Sequence, residues 1–232
     1  MRWILCKLTF LLLLIRYPGA FLSGRIKFKK TTWFLGSKFI VDNGNTVSLD
    51  NAYVSRSEFV CHGESNSIEC QGEVYKSKIV IAGKGNHIII AEGTNIQNSV
   101  ITLRAQNSRI IIGKNTRIGS LYAVCMGRDN HILIGESCMI SDNVEIWSTD
   151  GHAILARGTG DILNPSLPVT IGNEVWIGKN SVILKGVDVK DGTIVGMNSV
   201  VTKNTKPFSV VAGNPARIIR ENVSWSAYYT KY

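Results

Sequence analysis

Of the four histidines in this 232-residue chain, His62, His87, His131 and His152, only His152 stands in a stretch without a repeat. An unperturbed imidazole titrates near pH 6.5, so around pH 7 it is mostly neutral and basic. Such a group can take the proton of an attacking hydroxyl, which is the work of a general base. Asp150, two residues earlier, either orients that ring or sits beside it without contact. Trp176 is a second candidate, because its neighbour Ile177 belongs to an inward-facing series and Trp176 therefore faces outward, where an indole needs a partner. Lys179, Lys185 and Lys203 are separated by 6 and 18 residues, a spacing that matches the same series.

That series is strict. Ile171, Ile177, Ile183, Val189, Val195 and Val201 recur every six residues. Neither a helix nor an ordinary alternating strand has such a period. A parallel β-solenoid does: each short strand contributes one inward aliphatic residue before the chain turns a corner. Two places before each stands a small or β-branched residue (Val169, Val175, Ser181, Val187, Thr193, Ser199), as a tight corner requires. The earlier chain repeats with a longer period. Val47, Ile68, Ile88, Ile110 and Ile132 are spaced by 21, 20, 22 and 22 residues, each preceded by turn-forming Asn, Asp, Ser or Gly. Each period is read as one coil of three strands, with the residues beyond eighteen bulging at corners. The 18-residue step sets Lys185 and Lys203 above one another, with Lys179 on the preceding face.

The six-step starts at Ile140 and Ile146, breaks from Thr149 to Pro168 and resumes at Ile171. The segment 149–168, rich in Gly, Asn and Pro and without period, reads as an extended loop thrown out from the coil. Insertions in solenoids project from one face and often bind there. Residues 1–24 are an N-terminal segment whose apolar run, Trp3 to Ile15, is bracketed by Arg2 and Arg16; it reads as a helix that caps the first coil or lies on an anionic membrane surface, ahead of an export signal, for which no clear cleavage site follows. The apolar run is too short to span a bilayer, which takes about 20 residues. Residues 25–222 are one elongated solenoid domain, closed by a loop and a short helix near Ile218 to Val223. Residues 223–232 form an aromatic tail that packs on its own coils, a neighbouring subunit or a membrane interface.

A net charge of +9 and a pI near 9.4 favour anionic partners, but the cations are scattered and no nucleic-acid motif is present. The five cysteines are odd in number and form no CxxC pair; Cys70 and Cys138 fall in phase with the core and read as buried thiols in a reducing compartment. His87 and His131 share a phase but lie 44 residues, or two coils, apart. With strands about 4.8 Å apart, their backbones stand about 10 Å from each other. Zinc–nitrogen bonds are about 2.0–2.1 Å, and His62 is out of phase, so no metal site is expected.

The segment from Ile134 to Trp225 resembles the hexapeptide-repeat acyltransferases. The residues that carry the likeness are Trp147-Ser148-Thr149-Asp150-Gly151-His152, the run Val169-Thr170-Ile171-Gly172-Asn173-Glu174-Val175-Trp176-Ile177-Gly178, and Val211-Ala212-Gly213-Asn214-Pro215-Ala216-Arg217. Within the family the chain looks closest to O-acetyltransferases of capsular and other surface polysaccharides, including the sialic acid ones. The resemblance implies an all-β fold, a left-handed parallel β-helix, whose hand the general preference for right-handed crossovers would not give. It implies a homotrimer, acetyl-CoA as donor and a carbohydrate hydroxyl as acceptor. His152 falls at the family's catalytic histidine, and Trp176 lies beside it across a cleft between subunits, positioning acceptor or thioester. Lys179, Lys185, Lys203, Gly196 and the loop Ser209, Val210 and Val211 line the coenzyme path, and a backbone N–H holds the oxyanion. The implied site is cytoplasmic, where acetyl-CoA is available, with peripheral contact to the inner face of the membrane as a further expectation. N-acetylation of an amino sugar or nucleotide sugar, and a non-catalytic solenoid scaffold, are the two other readings.

Overall fold

The computed structural model describes residues 24–29 and 32–228. These residues form a three-sided parallel β-solenoid of about eight coils and contain no helix. The apolar helix expected over 1–24 falls, apart from Gly24, outside the described residues. Each coil places one strand in each of three sheets. The first sheet runs in order from Ile26–Phe28 to Asp188–Val189, the second from Trp33–Leu35 to Ala216–Glu221, and the third from Lys38–Val41 to Val200–Val201.

Both periods read from the sequence are the register of the stack. Val47 pairs with Ile68, Ile68 with Ile88, Ile88 with Ile110 and Ile110 with Ile132, along the first sheet. Ile132 then pairs with Val169, so the segment between them is one coil carrying an insertion. The six-step aliphatics are all buried, and so is the corner column two residues before each. Burying one such Ile or Val contributes about 1.5–3 kcal/mol, so these columns are the main attraction between coils.

The corners hold a second set of columns that the sequence shows only as turn formers. Asn45, Asn66, Asn86, Ser108 and Asn130 point inward and are buried. The side-chain oxygen of each of the first four accepts the backbone N–H of its equivalent in the next coil: Asn45 from Asn66 at 2.9 Å, Asn66 from Asn86 at 2.9 Å, Asn86 from Ser108 at 3.0 Å and Ser108 from Asn130 at 2.9 Å. The residue before each, Gly44, Ser65, Gly85, Asn107 or Asp129, has positive φ and makes the bend. A serine column, Ser37, Ser57, Ser77 and Ser99, does the same at the corner between the second and third sheets.

Three expectations change. Only some of the residues beyond eighteen sit in corner turns, as between Ile90 and Asn95; others lengthen the third-sheet strands Lys78–Lys84, Val100–Gln106 and Leu121–Arg128 before the corner. There Gly83, at φ +109°, leaves no space for a side chain, since a Cβ would stand 1.9 Å from the Ala105 carbonyl oxygen. The segment 149–168 is not irregular throughout but contains a short antiparallel hairpin. The short helix expected near Ile218 to Val223 is instead the strand Ala216–Glu221, antiparallel to Ser209–Gly213. Gly213 pairs with Ala216 across Asn214-Pro215, a two-residue turn, and the β-branched pair Ile218-Ile219 favours extended backbone. This strand covers the open edge of the second sheet.

Candidate active site

The strand Val144–Trp147 alternates inward Val144 and Ile146 with outward Glu145 and Trp147. Ser148 continues the ladder by donating its N–H to the Val124 carbonyl at 3.0 Å. Its own carbonyl accepts the Leu167 N–H at 3.0 Å, which pins the two ends of the insertion together. Asn130, the last member of the asparagine column, donates to the Ser148 hydroxyl at 3.0 Å. The root of the insertion is therefore part of the core.

Beyond that root the chain forms an arm. Leu155 and Ile162 pair antiparallel, the Leu163 N–H donates to the Ile154 carbonyl and the Ala156 N–H to the Asp161 carbonyl, both at 2.8 Å. Ile154, Leu155, Ile162 and Leu163 all present more than half of their surface to solvent. Two Ile-Leu pairs flanking Gly158-Thr159-Gly160 were the available signal for this hairpin.

His152 stands at the entry to the arm and is exposed. Its ring makes no hydrogen bond among the described residues, so its position depends on its backbone. That backbone is tied from two sides. Asn164 donates through Nδ2 to the His152 carbonyl at 2.9 Å and to Asp150 Oδ2 at 2.7 Å, and its Oδ1 accepts the Ile154 N–H at 2.5 Å. Lys185, from the next coil, donates through Nζ to Asp150 Oδ2 at 2.6 Å and to the Asn164 and Pro165 carbonyls at 3.0 and 3.1 Å. Hydrogen bonds from Lys185 first, then from Asn164, hold the Asp150 carboxyl below the usual carboxylate range. Asp150 thus makes its contacts to Lys185 and Asn164, away from the imidazole. Nothing in the sequence pointed to Asn164, and the Asp150–Lys185 contact spans 35 residues, beyond any local pattern.

Trp176 faces outward on the second sheet, between Met139 and Ile194 of adjacent coils, and is 38% exposed. Its ring centroid lies 6.1 Å from that of Trp225, whose Nε1 donates to the Glu174 carbonyl at 2.6 Å. The described part of the tail therefore packs on its own coils. The arm leaves the corner between the third and first sheets, and in a three-sided solenoid that corner is opposite the second sheet. One chain does not bring His152 and Trp176 together.

The expected coenzyme residues are spread over the last coils. Lys203 follows the strand Val200–Val201 at the corner below the arm, and Lys179 follows Trp176–Ile177 at the corner between the second and third sheets. Both are exposed and neither has an ion-pair partner among the described residues. Gly196 donates its N–H to the Val211 carbonyl at 2.8 Å, and a Cβ there would stand 2.9 Å from that of Ala212. Ser209 and Val211 point inward and are buried, the Ser209 hydroxyl donating to the Lys206 carbonyl at 2.6 Å; Val210 alternates outward between them.

His62 bonds Asp42 and His87 bonds Ser67, each through Nδ1 at 2.8 Å. His87, Arg109 and His131 stack in register on the outer face of the first sheet. Among the described residues no three His, Cys, Asp or Glu side chains gather as metal ligands. Cys61, Cys70, Cys125 and Cys138 are buried free thiols.

Residues 168–203 match the family of bacterial transferase hexapeptide repeats. The galactoside O-acetyltransferase of Escherichia coli strain K12 is 43% identical over 96 residues, 40% of this chain and 46% of that protein. The polysialic acid O-acetyltransferase of Escherichia coli O1:K1 / APEC is 33% identical over 89 residues, 38% of this chain and 29% of that protein. The chain thus spans less than half the length of these curated relatives. Two solved structures match over most of both chains. The polySia-specific acetyltransferase NeuO superposes with a TM-score of 0.73 at 27% identity, covering 89% of this chain and 91% of its own. The polysialic acid O-acetyltransferase OatWY superposes with a TM-score of 0.60 at 27% identity, covering 89% and 94%. Both findings agree with the resemblance drawn from the sequence: residues 168–203 match the hexapeptide-repeat family, and the solenoid is similar to those of two polysialic acid O-acetyltransferases.

Proposed function

We propose that this chain is an O-acetyltransferase that moves an acetyl group from acetyl-CoA to a sugar hydroxyl of a surface polysaccharide or its precursor. The observation that carries this reading is His152, an exposed imidazole on an anchored arm at the one break in the six-step. The relatives, a galactoside O-acetyltransferase and a polysialic acid O-acetyltransferase, supply the reaction class. His152 takes the proton of the acceptor hydroxyl as its oxygen bonds to the acetyl carbon. The carbon–sulfur bond breaks, and the imidazolium returns the proton to the departing sulfur.

The active unit in this reading is a trimer. His152 and Trp176 occupy opposite sides of one solenoid, so a shared cleft requires the arm of one copy to reach the second sheet of the next. The exposed apolar residues of the arm and the indole face of Trp176 suit that contact. Lys179 and Lys203, both without carboxylate partners among the described residues, are cations available to coenzyme phosphates. The four buried free thiols agree with a cytoplasmic site, where the donor is made. Contact with the membrane would fall to residues 1–23, outside the described part.

The test is incubation with labelled acetyl-CoA and surface glycans, locating the label by NMR. Label that mild alkali removes is an ester, and label that resists is an amide and favours N-acetylation. His152→Ala is expected to abolish transfer; full activity in that variant overturns the reading and returns the solenoid to a scaffold.

A further inference from the structure

We propose that Lys185 is a positioning residue for His152: it locks the root of the arm from the coil beyond, and so sets where the imidazole stands. This rests on the reading of His152 as the base. A lysine ammonium has three N–H donors. All three are used inside the arm, on the Asp150 carboxylate and on the Asn164 and Pro165 carbonyls, and the side chain is only 17% exposed. No donor is left for a phosphate. Lys185 thereby differs from Lys203, its neighbour one coil further on, whose ammonium is exposed and unpaired among the described residues. The family-based expectation that both lysines serve the coenzyme divides here: Lys203 faces solvent, and Lys185 faces the arm.

The lock acts through a short chain of contacts. Lys185 fixes Asp150 and the Asn164 backbone, and the Asn164 side chain then grips Asp150, the His152 carbonyl and the Ile154 N–H. Three alternate residues on one side of the arm are held by one residue on the other. His152 is the middle one, and its ring has no other tether among the described residues. Removing the ammonium leaves the Asp150 carboxylate with Asn164 alone and frees two carbonyls at the root, so the arm gains freedom where the imidazole is mounted.

Two measurements test this on the full chain. Steady-state acetyl transfer by Lys185→Met is expected to show kcat lowered by up to about 100-fold with KM for acetyl-CoA unchanged, the pattern of a misplaced group. Lys185→Arg, which keeps a charged donor, recovers part of the loss. Hydrogen exchange supplies a readout that needs no activity: in Lys185→Met the Ile154 and Leu163 amides exchange faster, while the Ile88 and Ile110 amides of the solenoid do not. Asp150→Asn, which removes the charge and keeps the shape, reproduces both effects if Lys185→Met fails to fold. A rise in KM for acetyl-CoA with kcat intact assigns Lys185 to the donor and overturns the proposal, as does unchanged exchange of the arm. If the unaltered chain transfers no acetyl group, the proposed function fails, and exchange alone still decides whether Lys185 fixes the arm.

Discussion

Replacing Asn86 by Ala tests whether the buried amide column, and not only the aliphatic one, holds adjacent coils in register. Asn86 is fully buried; its Oδ1 accepts the Ser108 N–H at 3.0 Å, and its Nδ2 donates to the Ala105 carbonyl at 2.7 Å and the Ala82 carbonyl at 3.1 Å. Alanine strands the Ser108 N–H away from water and removes a donor from two carbonyls. A stranded buried amide costs about 1–3 kcal/mol and each lost hydrogen bond about 0.5–1.5 kcal/mol, which together give about 2–6 kcal/mol. The comparison variant is Asn95→Ala, which removes exposed hydrogen bonds to Glu73 and from Gln97 and should cost no more than about 0.5 kcal/mol. Urea midpoints give the overall difference. Because coil stabilities in a solenoid add locally, exchange of the Ser108 amide should accelerate more than that of coils further away. Equal costs for the two variants would refute the reasoning, leaving aliphatic stacking as the whole of the register.

Two further outcomes follow from the titratable groups whose folded values are shifted. Burial pushes the thiols of Cys70, Cys125 and Cys138 up to about 11 and that of Cys61 to about 12, from an ordinary 9.0. Their raised folded values contribute stability below pH 9 that is lost as pH rises toward 11, and none of the four should react with a maleimide at pH 8 until the chain unfolds; rapid native labelling at any of them would contradict this. Burial, and then the Arg109 guanidinium, lower His131 below 6.5, so Arg109→Gln should raise its midpoint in an NMR titration, and an unmoved midpoint would remove Arg109 as a cause. For this imidazole the sign is opposite: its contribution is present above pH 6.5 and disappears as acid protonates the unfolded chain first.

The coil was legible because an inward aliphatic position repeats at a spacing that nothing else in the backbone repertoire uses. The column from Ile171 to Val201 gave the strands, and the column from Val47 to Ile132 gave the register of the earlier coils. His152 was legible by exception, as the histidine at the break. What the sequence hid is contact between polar residues far apart in the chain. Asn45, Asn66 and Asn86 look like surface turn formers, and only stacking shows their amides turned inward. Closeness in sequence left open whether Asp150 orients the imidazole or sits beside it without contact; its carboxylate is held by Lys185 and Asn164, 35 and 14 residues away. The strand Ala216–Glu221 was misread as helix because its charged and aliphatic residues mimic an amphipathic pattern, although Ile218-Ile219 after Asn214-Pro215 favours extension.

That final strand has a consequence for the last rung of the stack. A stack of parallel coils offers, at its last rung, the same row of amides and carbonyls that joined every rung before it, and an identical rung from a second molecule could dock there and start a fibre. The chain doubles back at Gly213 and lays down a ribbon of opposite polarity carrying Arg217, Arg220 and Glu221. Along that side, a newcomer meets a reversed hydrogen-bonding pattern and a row of charges, which disfavours end-to-end docking on the second sheet.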